Sequence, residues 1–321
     1  MTSAITTSRL SKSYKKGVRR QQVAALANLD IEVQQGEVFG FIGSNGAGKS
    51  TTIKILMGLI KPTDGQAWLF GQQASAPAAR ARVGYLSEHP HFYDFLTPVE
   101  LLRLLGAMRQ MPQQDIRQQT EKLLGLVSLS EAADRKIRGF SKGMVQRLGI
   151  AAALLDDPDL LILDEPMSGL DPLGRHLVAT IIRDLQQQGK TIFFSTHIIP
   201  DIETLCDRVG ILVRGQQKYV GSIQEALYPA GNRFEITVRM PEQWRPEQGI
   251  LAPHHLLWHK ESLYKFEIAE TDISSIAQGV IASNGSIVTL EPKRRSLEEL
   301  FLDLSGHSEP TTERTLASPA P

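Results

Sequence analysis

The chain has 321 residues, 35 basic side chains balanced by 35 acidic ones, and a single cysteine. That length supports a sizeable core and two domains, one large and one small, while a formal net charge of zero argues against a broad electrostatic attraction to nucleic acid or anionic lipid. Cys206 alone cannot make an internal disulfide and fits a reducing cytosol, no apolar run reaches the ~18 residues of a membrane span, and "MTSAITTSRLSKSYKK" lacks the apolar centre of a secretory signal.

Residues 1 to about 70 read as short strands separated by turns. Within them "VFGFIG" is a compact apolar run that meets "GSNGAGKST", which fits the phosphate-loop pattern G-x-x-x-x-G-K-[ST] from Gly43 through Ser50. Gly43, Gly46 and Gly48 permit turns that side chains would block and bring backbone amides close to phosphate. Ser44, Asn45, Ala47 and Thr51 complete the nucleotide-binding stretch. Lys49 neutralises the β/γ-phosphate charge, and the Ser50 hydroxyl is placed for magnesium. "TTIKILMGLI" follows with helical periodicity and ends near Gly58 and Pro62.

From about 92 to 156 the pattern turns helical. Thr97-Pro98-Val99-Glu100 is a capping box with proline at the first helical position. "FSKGMVQRLG" opens a second helix, with Ser141 as N-cap and Phe140 and Val145 at staple positions. Val145, Leu148, Ala152 and Leu155 form its apolar face. Lys142 puts a positive charge in the first turn, where the helix dipole disfavours it, and Gly143 bares the backbone. A hydroxyl, a cation and free amides at a helix N-terminus make an anion site.

"LLILDEP" and "TIFFSTH" are short apolar runs of the kind buried in a parallel sheet. At the end of the first, Asp164 faces magnesium, directly or through water, and Glu165 orients or deprotonates an attacking water. His197, at the end of the second, lies at the ligand edge of such a sheet and is expected to contact the γ-phosphate. Cys206, in "IETLCDRVGILV", reads as a small core residue. "YPAGN" near 230 is a linker. Beyond it "FEITVRM", "LYKFEIA" and "SIVTLEP" alternate like half-buried strands. "EPKRRS" reads as a solvated basic loop, and "SLEELFLDL" closes the second domain with a Ser296–Glu299 capping box and a Leu297, Leu300, Phe301, Leu304 stripe. Residues 306–321 have the composition of a disordered tail.

The order "GSNGAGKST", "FSKGM", "LLILDEP", "SGLD" and "STH" resembles an ABC transporter ATP-binding subunit over roughly residues 5 to 225. The resemblance implies an α/β fold: a P-loop NTPase core with ABC-type antiparallel β and helical subdomains, plus a small C-terminal α+β domain. Its boundaries would be 1–228 for the ATP-binding domain (helical subdomain about 92–156), 229–305 for the accessory domain and 306–321 for the tail. It further implies ATP and Mg2+ as ligands, with Tyr14 stacked on the adenine and Asp171 in a loop that joins two sites across a dimer. Ser141, Lys142, Gly143 and Met144 would then contact the γ-phosphate of ATP held by the opposite subunit.

Two departures from the commonest family pattern stand out. Glu88 in "GYLSEHPHF" occupies the place of a glutamine near magnesium; a carboxylate binds a hard cation but does not donate as an amide does. "FSKGM" stands where many relatives have a Leu-Ser-Gly-Gly-Gln run. Both resemble an export-type subgroup that moves drugs, lipids or polysaccharides, as does the C-terminal domain, whose role is dimerisation, regulation or stability alone. The resemblance thus implies an ATPase working as a homodimer or with a relative, at the cytoplasmic face of the cell membrane, on a separately encoded membrane-spanning permease. "EHPHFYDFLTP" would be its coupling surface. The competing readings are a soluble ABC-type ATPase acting on nucleic acid or ribosomes, disfavoured by neutral charge and the export-like tail, and a phosphate-loop kinase, which leaves "FSKGM" and "SGLD" without a use.

Overall fold

The computed structural model describes residues 3–16, 21–228, 233–246 and 250–306. All but Tyr228 of the "YPAGN" linker and all but Gly306 of the expected tail lie outside these residues. The chain divides into two compact units, one comprising the chain through Ile223 together with its end from Asp303, and the other Gln224–Leu302.

In chain order the larger unit contains β1 (Ser3–Lys16), β2 (Gln21–Leu29), β3 (Glu32–Gln34), β4 (Val38–Ile42), α1 (Lys49–Leu56), β5 (Asp64–Leu69), β6 (Gln72–Gln73) and β7 (Val83–Leu86). The helical stretch follows as α2 (Pro98–Met108), α3 (Gln113–Leu126) and α4 (Lys142–Ala153). Then come β8 (Leu160–Asp164), α5 (Pro172–Gln187), β9 (Thr191–Thr196), α6 (Ile199–Leu205), β10 (Arg208–Val213) and β11 (Gln216–Ser222), with α7 (Ile223–Leu227) at the division between units. The strands run β6-β5-β1-β2-β11-β10-β4-β9-β8-β7, with β3 paired to β1. From β10 to β7 every pairing is parallel, whereas β1 pairs antiparallel with β2, β3 and β5.

The apolar runs explain the centre of this sheet. Every residue of β4, β8 and β9 is buried, as strands covered on both faces require. Phe39 stands opposite Phe193 in the β4–β9 register and the two rings stack with centroids 5.7 Å apart. Helix α5 buries Val178, Ile181, Ile182 and Leu185, one helical stripe.

The amino-terminal region departs from a series of short strands. β1 is a single strand of 14 residues, bent where Arg9 takes φ 45° and its pairings with β2 and β5 shift register. The Arg9 amide donates to the Asp30 carboxylate at 2.7 Å, which holds the bend in place. Such a bulge lets one strand serve partners that the sequence reads as separate pieces. In the helical stretch the Thr97 hydroxyl accepts from the Glu100 amide at 3.2 Å and the Glu100 carboxylate accepts from the Thr97 amide at 2.8 Å, the full capping box. Cys206 is half-buried, with its sulfur against Gly40, and burial pushes its thiol pKa well up.

The smaller unit contains β12 (Arg233–Arg239), β13 (His255–Lys260), β14 (Leu263–Ala269), α8 (Ile273–Ala282) and β15 (Ser286–Pro292), and ends within α9 (Leu297–Ser305), at Leu302. Its antiparallel sheet has the order β13-β14-β12-β15. Ile236, Val238, Phe266 and Ile268 meet Ile276 and Val280 of α8 in a separate core. The Ser296–Glu299 capping box is present at the start of α9. The basic loop before it is not merely solvated. Lys293 and Arg233 both bond the Glu267 carboxylate at 2.6 Å, and the Lys293 bond chiefly holds that carboxyl below its ordinary pKa.

Candidate nucleotide site

The sheet order explains how distant sequence segments converge. β4, β9 and β8 are adjacent and parallel, so Gly43, His197 and Asp164 all emerge at their carboxyl ends within two strand spacings.

The loop after β4 requires its glycines for different reasons. A Cβ on Gly43 would lie 2.6 Å from the Leu212 carbonyl oxygen, and one on Gly48 would lie 2.5 Å from that of Ala25. Gly48 also takes φ 112°, a left-handed conformation that disfavours any side chain. It precedes α1, whose N-terminus has no side-chain cap, so the amides there remain available to an anion. Residues Ser44 to Thr51, with Ala25, Glu88 and Glu165, line a cavity of about 470 Å³. That size lies within the usual range for small-molecule sites.

Lys49 and Glu165, at this cavity, are buried and paired. The Lys49 ammonium donates to the Gly43 carbonyl at 2.7 Å and stands 3.4 Å from Glu165 Oε1. His197 Nδ1 lies 2.9 Å from Glu165 Oε2. The Glu165 carboxylate is therefore held between two nitrogen groups, which offsets the cost of burying it. Its backbone adopts φ 51°, and its amide donates to both the carbonyl and the hydroxyl of Ser195, each at 3.1 Å. The same Ser195 hydroxyl donates to Asp164 Oδ1 at 2.5 Å. One serine thus holds the Asp164 carboxylate and the backbone of Glu165.

The residues fit a magnesium ion held together with phosphate. Ser50, Asp164 and Glu88 offer hard oxygen donors, the type magnesium prefers. Among the described residues no group of three His, Cys, Asp or Glu side chains gathers to hold a metal alone. Glu88 lines the cavity with its carboxylate half exposed, 3.8 Å from His89 Nε2.

Other expected site residues lie outside this cavity. Tyr14 is exposed on β1 opposite Val23, with the Lys12 ammonium 5.3 Å from its ring centre. Ser141 caps α4, accepting from the Met144 amide at 3.3 Å, and none of Ser141, Lys142, Gly143 and Met144 lines the cavity. The aliphatic stem of Lys142 lies over Gly169 of "SGLD". Asp171 caps α5, its carboxylate accepting from the Gly174 amide at 2.8 Å. Sequence reasoning missed Ser195 and Gln146, the latter 1% exposed and bonded to the Glu165 and Pro166 carbonyls. A polar side chain inside an apolar run or on a packed helix needs a partner, and that was the available signal.

A phosphate loop at a parallel-sheet switch, with adjacent acidic groups at the end of the next strand but one, defines a P-loop nucleoside triphosphatase. Comparison with known proteins places the chain more closely. The family described as ABC transporter matches residues 26–168. An uncharacterized ABC transporter ATP-binding protein of Nostoc sp. is 40% identical over 304 residues, 94% of this chain and 89% of its own length. Nod factor export ATP-binding protein I of Cupriavidus metallidurans is 40% identical over 283 residues, 87% of this chain and 91% of its own. A solved structure of an ATP binding subunit of an ABC transporter is 34% identical with a TM-score of 0.62, covering 70% of this chain and 91% of that one. The chain belongs to the family of ABC transporter ATP-binding subunits, and is an ATPase of that family with the α/β fold expected of it.

Proposed function

We propose that this chain binds ATP with magnesium, hydrolyses it as one of a pair of subunits, and so powers export through a separate membrane-spanning partner. The observation that carries the reading is the Glu165 carboxylate, fixed between Lys49 and His197 at the wall of the phosphate-loop cavity. The loop backbone from Gly46 to Gly48 and the Lys49 ammonium bind the phosphates. Ser50 and Asp164, with Glu88, would hold magnesium, which supplies charge neutralisation between β- and γ-phosphate oxygens. Glu165 accepts a proton from the attacking water. His197 holds that carboxylate in place and donates toward the γ-phosphate. Tyr14 extends the site toward the base.

Pairing follows from the position of the second anion-facing helix start. Ser141 to Met144 open a helix away from their own cavity, which suits the γ-phosphate of a second copy's ATP. The membrane partner would dock on the stretch from Glu88 to Pro98, where Tyr93 and Phe95 are each 62% exposed with ring centroids 5.6 Å apart. Among the described residues no helix is long and apolar enough to cross a membrane; in the proposed reading the partner supplies the substrate path and this chain works at the cytoplasmic face. Export is supported by the Nod factor export relative.

The test uses purified protein with magnesium and ATP. Glu165→Gln is expected to trap an ATP-bound dimer, and Lys49→Ala to lose nucleotide binding. A Glu165→Gln variant that turns over ATP at the normal rate removes the proposed base. Co-purification of a hydrophobic membrane protein supports transport, whereas RNA or ribosomes in its place would support the nucleic-acid reading.

A further inference from the structure

Gln146 is a polar side chain with 1% exposure, in the second turn of α4. Its Nε2 lies 3.1 Å from the carbonyl oxygen of Glu165 and 3.3 Å from that of Pro166. Two carbonyl acceptors settle the amide's orientation, because only its NH2 end can donate to both. The turn it grips is the one in which Glu165 takes φ 51°, a left-handed conformation that a glutamate keeps only when its surroundings impose it. Ser195 holds the amide side of that turn from β9; Gln146 holds the carbonyl side from α4.

A second contact lies one helical turn earlier on the same face of α4. A Cβ on Gly169 would meet Lys142 Cδ at 2.6 Å and Cε at 2.7 Å, and one on Gly143 would meet Leu170 Cδ2 at 3.3 Å. The first two turns of α4 therefore pack along the segment from Glu165 to Leu170. The end of this helix, capped by Ser141, is the end that faces the opposite nucleotide in the pairing proposed above.

We propose that Gln146 is a positioning residue that links the two nucleotide sites of a pair, an inference that rests on the paired-ATPase reading. Engagement of Ser141 by the partner's γ-phosphate sets the position of α4. Gln146 passes that position to the Glu165 and Pro166 carbonyls, and so to the aim of the Glu165 carboxylate in its own site. The chemistry of hydrolysis is unchanged; the helix decides whether the base is aligned.

The test compares Gln146→Met, which keeps side-chain volume without donors, with Gln146→Glu, which donates only when protonated. Both use the full chain with magnesium and ATP. ATP binding by the monomer is expected to stay within about twofold of wild type, while Gln146→Met lowers kcat about tenfold with KM little changed, the scale of one lost hydrogen bond. Burial beside two carbonyl oxygens disfavours the ionised glutamate and raises its pKa. The ratio of Gln146→Glu to wild-type kcat should therefore rise as pH falls from about 8 to about 6, while the Gln146→Met ratio stays flat. Wild-type kcat in a folded Gln146→Met protein overturns the inference, as do equal losses in both variants at every pH, which mark a packing role. If Gln146→Met does not fold, the Gln146→Glu profile decides alone, and a flat ratio overturns the inference. The Glu165→Gln trap is run alongside. Without an ATP-bound dimer both readings fail; with one, wild-type behaviour of the Gln146 variants defeats only this inference.

Discussion

Removing the hydroxyl of Ser195 tests the idea that one side chain holds the Asp164 carboxylate and the backbone of Glu165. Ser195 is fully buried and Asp164 is 3% exposed, so water cannot replace the lost bond without rearrangement. In Ser195→Ala, Asp164 Oδ1 loses its 2.5 Å donor and the Glu165 amide keeps only the Ser195 carbonyl. A hydrogen bond to a charged group contributes about 1.5–3 kcal/mol, and a unit of this size loses about 2–4 °C of melting temperature per kcal/mol. The expected cost is about 2 kcal/mol, or roughly 4–8 °C, in a thermal unfolding scan without nucleotide. A looser Asp164 also weakens magnesium binding by about 10–100-fold, the usual effect of losing a partner behind a metal ligand. That shift is read as the magnesium midpoint of ATP hydrolysis at fixed ATP. Ser195→Cys, with its weak donor, should fall between alanine and wild type. A Ser195→Ala protein with the wild-type magnesium midpoint and melting temperature would refute the reasoning.

Further substitutions probe the supports around the site. Gly48→Ala places a methyl against the Ala25 carbonyl at φ 112° and should weaken ATP binding at least about tenfold; Gly71→Ala, at φ 77° with no neighbour within 4 Å, should cost only about 1 kcal/mol of backbone strain and leave ATP binding alone, as an equilibrium titration would show. Thr97→Ala breaks the capping box of α2 and should cost about 1 kcal/mol, with faster amide exchange in residues 99–101. Glu267→Gln removes the anion shared by Arg233 and Lys293 and should destabilise the protein by about 2 kcal/mol at neutral pH. Because the Glu267 pKa is lowered in the folded state, its contribution is present above the unfolded value of about 4.3 and lost as pH falls through the folded value. Unfolding scans of wild type and variant should therefore converge at acid pH; a constant gap down to pH about 2 would contradict this.

Most of the site's primary chemistry was legible because it is local. A phosphate loop, an aspartate–glutamate pair after an apolar run and a histidine ending another are short motifs whose residues act through their own strand ends. The same holds for the boxes at Thr97 and Ser296, closed within four residues. What sequence reading lacked was tertiary. Ser195 sits in an apolar run and Gln146 in an ordinary helical pattern, and each acquires its meaning from a carboxylate turn far away in the chain. In the smaller unit β13 has the sequence HLLWHK, whose pattern does not alternate, and α8 is short, so neither announces itself. Arg9 shows no turn-forming residue type, so the bend that makes β1 one strand is set by Asp30 rather than by local preference.

The sheet's centre also bears on how the molecule comes into being. β4 lies against β9 with Val38 opposite Ile192, and β8 lies on the far side of β9. Contacts so distant along the chain require large loops to close before they return any stabilisation, which makes such sheets slow to assemble. The phosphate loop emerges early in synthesis, but the carboxylates follow only at residues 164 and 165 and the histidine at 197. On the proposed reading of the site, a growing or half-folded chain therefore carries the recognisable loop without the groups that would spend ATP, and hydrolysis itself would report that the central sheet has closed.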